Sequence, residues 1–159
     1  MTAEAFHPLP FVASSLPGGT TGLDNPGPAA EHVHALCAVA AVPESVTALR
    51  TFARALARRW LLPEDVEDAL CLVVTELVTN VVLHSMSPQV TMYLAKGRAG
   101  VTAEVRDSGR WETRIARGTA GADVSALCGR GLQLVGAYAT AWTRVSTAAG
   151  TRVIAHFAV

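Results

Sequence analysis

Glu76, Asn80 and His84 stand four residues apart inside an apolar run that extends from Ala69 to Val82. On an α-helix each four-residue step turns by only about 40°, so a carboxylate, an amide and an imidazole would line one stripe of a largely buried rod. Burying such groups costs free energy unless something pairs with them. A carboxylate and a neutral amide one turn apart suit metal-assisted phosphoryl chemistry. The amide oxygen is a hard ligand for Mg²⁺, and the carboxylate can orient or deprotonate an attacking hydroxyl. A core helix whose polar groups bond to neighbouring backbone would carry the same pattern.

Three later stretches have chemistry of their own. Asp107-Ser108-Gly109 follows a strand-like segment. An aspartate at a strand end can accept a hydrogen bond from an exocyclic amine such as that of adenine, and a glycine two residues on lets backbone approach a flat ring. An ordinary Asx turn has the same composition. Gly129-Arg130-Gly131-Leu132 enters a helix, where free N–H groups and the dipole attract anions; a flexible hinge would read alike. Gly150-Thr151 falls in a tight turn that chooses glycine for backbone reasons.

The elements that must position these residues follow from periodicity. Residues 1–30 are rich in Pro, Gly, Ser and Thr, with Pro8, Pro10, Pro17, Pro26 and Pro28, and are expected to form a disordered extension before a domain at 31–159. From His32 to Val39 the chain alternates as a strand, with Val33, Ala35, Cys37 and Val39 on one face. Pro43-Glu44-Ser45 opens a helix with Val46, Leu49, Phe52, Ala53, Leu56 and Trp60 inward and Arg50, Arg54 and Arg58 toward solvent. Pro63-Glu64-Asp65 starts a second helix, with acids where the dipole favours them, and this helix carries the polar stripe to about His84.

After Ser85–Pro88, Val90, Met92 and Leu94 alternate, Lys96 to Gly100 turns, and Val101, Ala103 and Val105 alternate again, an antiparallel hairpin. Arg110 to Cys128 has no clear period and is long for a loop in a compact domain, which points to function or mobility. A helix with Leu132, Leu134, Val135 and Tyr138 inward follows, then a last hairpin turning at Ala148-Ala149-Gly150. The expected fold is α+β: a two-layer α/β sandwich with a mostly antiparallel sheet and its helices on one face.

Composition narrows the function classes. Formal net charge is zero and the isoelectric point near 7.0, which provides no electrostatic footprint for nucleic acid or an anionic membrane. No long uninterrupted apolar run suggests a membrane span, and the start lacks a basic region followed by an apolar stretch, so a cytoplasmic location is expected. Twelve arginines against one lysine reflect a GC-rich genome and do not specify a partner. Cys37, Cys71 and Cys128 are far apart and have no metal-ligand spacing, so they read as reduced packing residues. A thiol or serine hydrolase built on Cys71 or Ser108 with His84 has no supporting motif.

In sequence order, Glu76-Leu77-Val78-Thr79-Asn80 with His84, Asp107-Ser108-Gly109, Gly129-Arg130-Gly131-Leu132 and Gly150-Thr151 resemble the N, G1 and G2 boxes and the closing GT of the histidine-kinase-like (GHKL) ATPase superfamily. Within it the chain is most similar to small single-domain anti-sigma factors that are serine/threonine kinases, over about Val33 to Val159. The resemblance implies ATP and Mg²⁺ as ligands, with Glu76 as catalytic base, Asn80 as Mg²⁺ ligand and Asp107 as adenine anchor. Gly109 would flank the adenine, Gly129 and Gly131 would offer N–H groups to the phosphates within the stretch Gly129–Leu132, and Thr151 would join the bonding around the base. Arg110 to Cys128 would be an ATP lid, and His84 would have a capping or core role. A sigma factor, an antagonist protein that receives the γ-phosphate on serine, or both would be the partners, and homodimers are expected in such a family. Leu127-Cys128 departs from the pattern, because many relatives carry Arg-Ser or Glu-Ser there. Arg130 or one of Arg110, Arg114 and Arg117 would then have to supply the missing cation, and the alternative is a nucleotide-dependent binding module with little or no transfer. The catalytic part of a two-component sensor is disfavoured, since no helical hairpin with an acceptor histidine precedes the domain.

Overall fold

The computed structural model describes residues 33–111 and 130–159. The expected N-terminal extension and most of the expected lid, with Gly129, lie outside the described residues. Along the chain the elements are β1 (Val33–Ala40), α1 (Pro43–Arg59), α2 (Glu64–His84), β2 (Gln89–Gly97), β3 (Gly100–Asp107), α3 (Arg130–Tyr138), β4 (Ala141–Thr147) and β5 (Gly150–Ala158). The strands form one antiparallel sheet in the order β1-β2-β3-β5-β4. This is the α+β sandwich expected from the alternation of period-2 and period-3.6 segments.

Burial on the sheet follows the pleat. Val90, Met92 and Leu94 of β2, Val101, Ala103 and Val105 of β3, and Val153, Ala155 and Phe157 of β5 all point into one core. Leu49, Ala53 and Leu56 of α1 and Leu70, Val74, Leu77 and Val81 of α2 cover that face. Pro43 at the first turn of α1 gives up no hydrogen bond there, and Ser45 Oγ donates to Ala40 O (2.6 Å), fixing how β1 enters the helix. Across the two helices, Arg54 and Arg58 meet Glu67 at 3.3 and 3.1 Å. Both arginines are largely exposed, so these pairs set alignment more than they add stability. At the far end, Lys96 Nζ donates to Trp60 O (2.5 Å) and ties β2 to the end of α1.

Two sequence expectations need correction. Tyr138 is exposed, not inward. The buried line of α3 runs through Leu132 and Val135 to the partly buried Ala139 just past its end, which returns beneath Leu132 after two turns, whereas Tyr138 falls about 100° from Ala139. His84 is also exposed, which rules out a core role: it is the last residue of α2, three positions past Val81, the last buried residue of that helix. Among the described residues, no helix is long and apolar enough to cross a membrane.

Candidate functional site

The site is built where α2, the end of β3 and the start of α3 converge. α2 buries Val73, Val74, Leu77, Val78 and Val81 against the sheet and α1. Glu76 and Asn80 lie at the margin of that face and are half-buried. Neither side chain has a hydrogen bond or ion pair to a described residue, so both keep their polar atoms available to a ligand.

α3 starts against this pair. A methyl group on Gly131 would lie 2.6 Å from Glu76 Oε2, 3.4 Å from Asn80 Nδ2 and 3.7 Å from Asn80 Oδ1. Only a residue without Cβ lets the first turn of α3, with its unpaired N–H groups, come so near the carboxylate and amide. Leu132, next in the chain, turns its side chain into the core and anchors that first turn. The sequence motifs around Asn80 and Gly131 therefore meet in space, although 50 residues separate these two in the chain.

Asp107 closes β3, paired in register with Val90 on one side and Thr151 on the other. Its Oδ1 accepts the Gly109 N–H at 2.9 Å, which is the Asx turn that the tripeptide suggested. Its Oδ2 accepts the indole N–H of Trp111 at 2.6 Å. The Arg144 guanidinium lies over the Trp111 ring, 4.5 Å from its centroid. Arg144 Nε donates to Ser146 Oγ (3.2 Å), and Ser146 shares a hydrogen bond with the buried Thr151 hydroxyl (3.3 Å). Thr151, selected from the sequence, is thus linked to β4 through side chains.

A serine cluster joins the two halves of the site. Ser87 Oγ accepts the Ser108 N–H at 3.1 Å, contacts Ser108 Oγ at 3.1 Å and donates to Gln89 O at 2.6 Å. Ser85 Oγ accepts the Ser87 N–H at 3.0 Å. Gly109 packs on the same turn so tightly that a Cβ there would fall 1.7 Å from Ser85 O. The end of the helix bearing Glu76 and Asn80 is consequently locked to the turn that follows Asp107. Sequence reading missed Ser85, Ser87, Trp111, Arg144 and Ser146. No local signal marks the serines, but the aromatic Trp111 four residues beyond Asp107 and the alternation that places Arg144 and Ser146 on one side of β4 were visible.

The donor set suits a magnesium nucleotide better than a bare ion. Asn80 and Glu76 offer hard oxygen atoms, whereas among the described residues no group of three or more His, Cys, Asp or Glu could hold a metal by itself. Mg²⁺ characteristically binds through one or two protein oxygens with water and substrate phosphates completing its shell. A half-buried carboxylate and amide beneath the glycine-bearing start of a helix, with an aspartate ending a strand of the same antiparallel sheet domain, define the class of domain. The chain belongs to the histidine kinase-like ATPase domain family, whose model matches residues 39–157, from the end of β1 into β5. Comparison with curated proteins finds no match.

Proposed function

We propose that the chain is an ATP-binding regulatory protein of the anti-sigma type that transfers the γ-phosphate of ATP to a serine of an antagonist protein. The approach of Gly131 to Glu76 and Asn80 carries this reading, because it sets an anion-attracting helix start against a carboxylate and an amide. Asn80 would hold Mg²⁺, which when bound supplies charge neutralisation at the phosphates. Glu76 would take the proton of the attacking hydroxyl, and Gly129, Arg130 and Gly131 would line the phosphates. Asp107, with Gly109 and Thr151 beside it, would accept the exocyclic amine of the adenine. The partners would be a sigma factor and the phosphate-accepting antagonist.

The test is incubation with γ-labelled ATP, Mg²⁺ and candidate antagonist proteins. Label on serine that is lost in Glu76→Gln, with ATP binding retained, is the expected result. Tight binding of ATP without transfer to any candidate would favour the second reading, a nucleotide-dependent binding module. Leu127-Cys128 ahead of the helix start favours that second reading, since no cation stands there to stabilise charge on a phosphate in transfer.

A further inference from the structure

Each carboxylate oxygen of Asp107 already accepts one hydrogen bond from the chain. Oδ1 is held by the Gly109 N–H and Oδ2 by the Trp111 indole N–H, the latter at 2.6 Å, a short bond to an ionisable acceptor. An indole is a flat aromatic with one edge donor, the same two features by which an adenine ring with its amine is recognised. Trp111 is half-buried and packs against the hydrophobic core, while Arg144 covers its face from β4. Arg144 is itself oriented by Ser146, which bonds to Thr151, the residue paired with Asp107 across the sheet. The indole is therefore held at its edge by Asp107, on one face by Arg144 and against the core on its buried side.

We propose that Trp111 is an internal occupant of the base-recognition oxygen of Asp107, held there by Arg144, and that an adenine nucleotide binds only as the indole withdraws. This rests on the nucleotide reading above and adds a determinant of affinity and selectivity to it. A ligand displaces the indole by offering its own donor to Oδ2; adenine presents an amine at the ring position where guanine presents a carbonyl oxygen, and the donors of guanine lie on other ring positions. The bound population is then reduced by the fraction of molecules in which Trp111 has left.

Trp111→Phe keeps an aromatic ring at this position and removes the donor. Calorimetric titration of the full chain with MgATP should show binding about tenfold tighter than wild type, the scale expected for losing one charge-assisted competitor, with binding of MgGTP unchanged. Arg144→Gln, which loosens the clamp without touching Asp107, should tighten MgATP binding about threefold. In the ¹⁵N-labelled wild-type chain, the indole resonance absent from Trp111→Phe should shift when MgATP is added. Unchanged or weaker MgATP binding by both variants, equal tightening for ATP and GTP, or an indole resonance that stays in place would overturn the proposal while leaving the nucleotide reading intact. Absence of ATP binding by wild type and both variants would instead overturn the nucleotide reading, and this proposal with it.

Discussion

Replacing either of two glycines by alanine should separate the fold from the site. At Gly131 the added methyl meets Glu76 Oε2 at 2.6 Å, whereas ordinary contact begins at about 3.4 Å, so the carboxylate must retreat by about 0.8 Å. That atom is the far end of a flexible side chain, and turning it off its preferred rotamer costs roughly 0.5–1.5 kcal/mol. Alanine repays up to about 1 kcal/mol through its better helix propensity. Net stability should change by less than about 1 kcal/mol, or a shift in midpoint of about 3 °C on heating. The site fares worse, because the methyl fills the gap beneath the α3 start and displaces Glu76. A misplacement on the order of 1 Å can cost about 10²-fold in a positioned reaction. Under the proposed function, Gly131→Ala should lower phosphoryl transfer at least tenfold and weaken MgATP binding, with thermal unfolding near that of wild type. At Gly109 the methyl would meet Ser85 O, Ser85 C and Ser87 N at 1.7, 2.6 and 2.8 Å. All three are backbone atoms with nowhere to go, so Gly109→Ala should cost about 3 kcal/mol and unfold several degrees earlier. Paired calorimetry and thermal melts decide the matter. A Gly131→Ala protein that binds and turns over MgATP like wild type would refute the placement of the phosphates, and a Gly109→Ala protein of wild-type stability would refute the packing.

Three further outcomes are expected. Leu77→Ala, at a fully buried position facing the sheet, should lose about 2–5 kcal/mol in urea unfolding. Ser87→Ala strips an acceptor from the Ser108 N–H and should cost about 1–3 kcal/mol, with amide exchange at Ser108 and Gly109 accelerating before the core does. Burial pushes the Cys71 thiol above its ordinary value, with the nearby Arg54 partly opposing it, and burial does the same to Cys37. The unfolded chain therefore releases these protons first. The contribution of these thiols to stability should be constant below about pH 8.5 and fall above it, by at most about 1.4 kcal/mol per pH unit for each thiol. Denaturation followed from pH 7 to 10 checks this, and Cys71→Ala should flatten the alkaline decline.

Much of the architecture was legible in the chain because it depends on local periodicity. Strands declared themselves by alternation at Val90, Met92 and Leu94 and at Val101, Ala103 and Val105, and helices by the spacing of Leu49, Ala53 and Leu56. The turn at Asp107-Ser108-Gly109 was equally local, an aspartate bonding the amide two residues on. Where the pattern ran out, at the short α3, Tyr138 was misplaced because a nine-residue helix offers too few turns to define its face.

What the sequence determined by itself was the order of the elements and the local turn at Asp107-Ser108-Gly109. Only the tertiary structure decided that Gly131 lies close against Glu76 and Asn80, that Ser85 and Ser87 tie α2 to the Asp107 turn, and that Trp111, beneath Arg144, bonds the aspartate. The physical reason is range. Hydrogen bonding along one helix or strand repeats with the residue number, whereas contacts between α2, β3, α3 and β4 depend on how whole elements pack, and no periodicity in the chain records that.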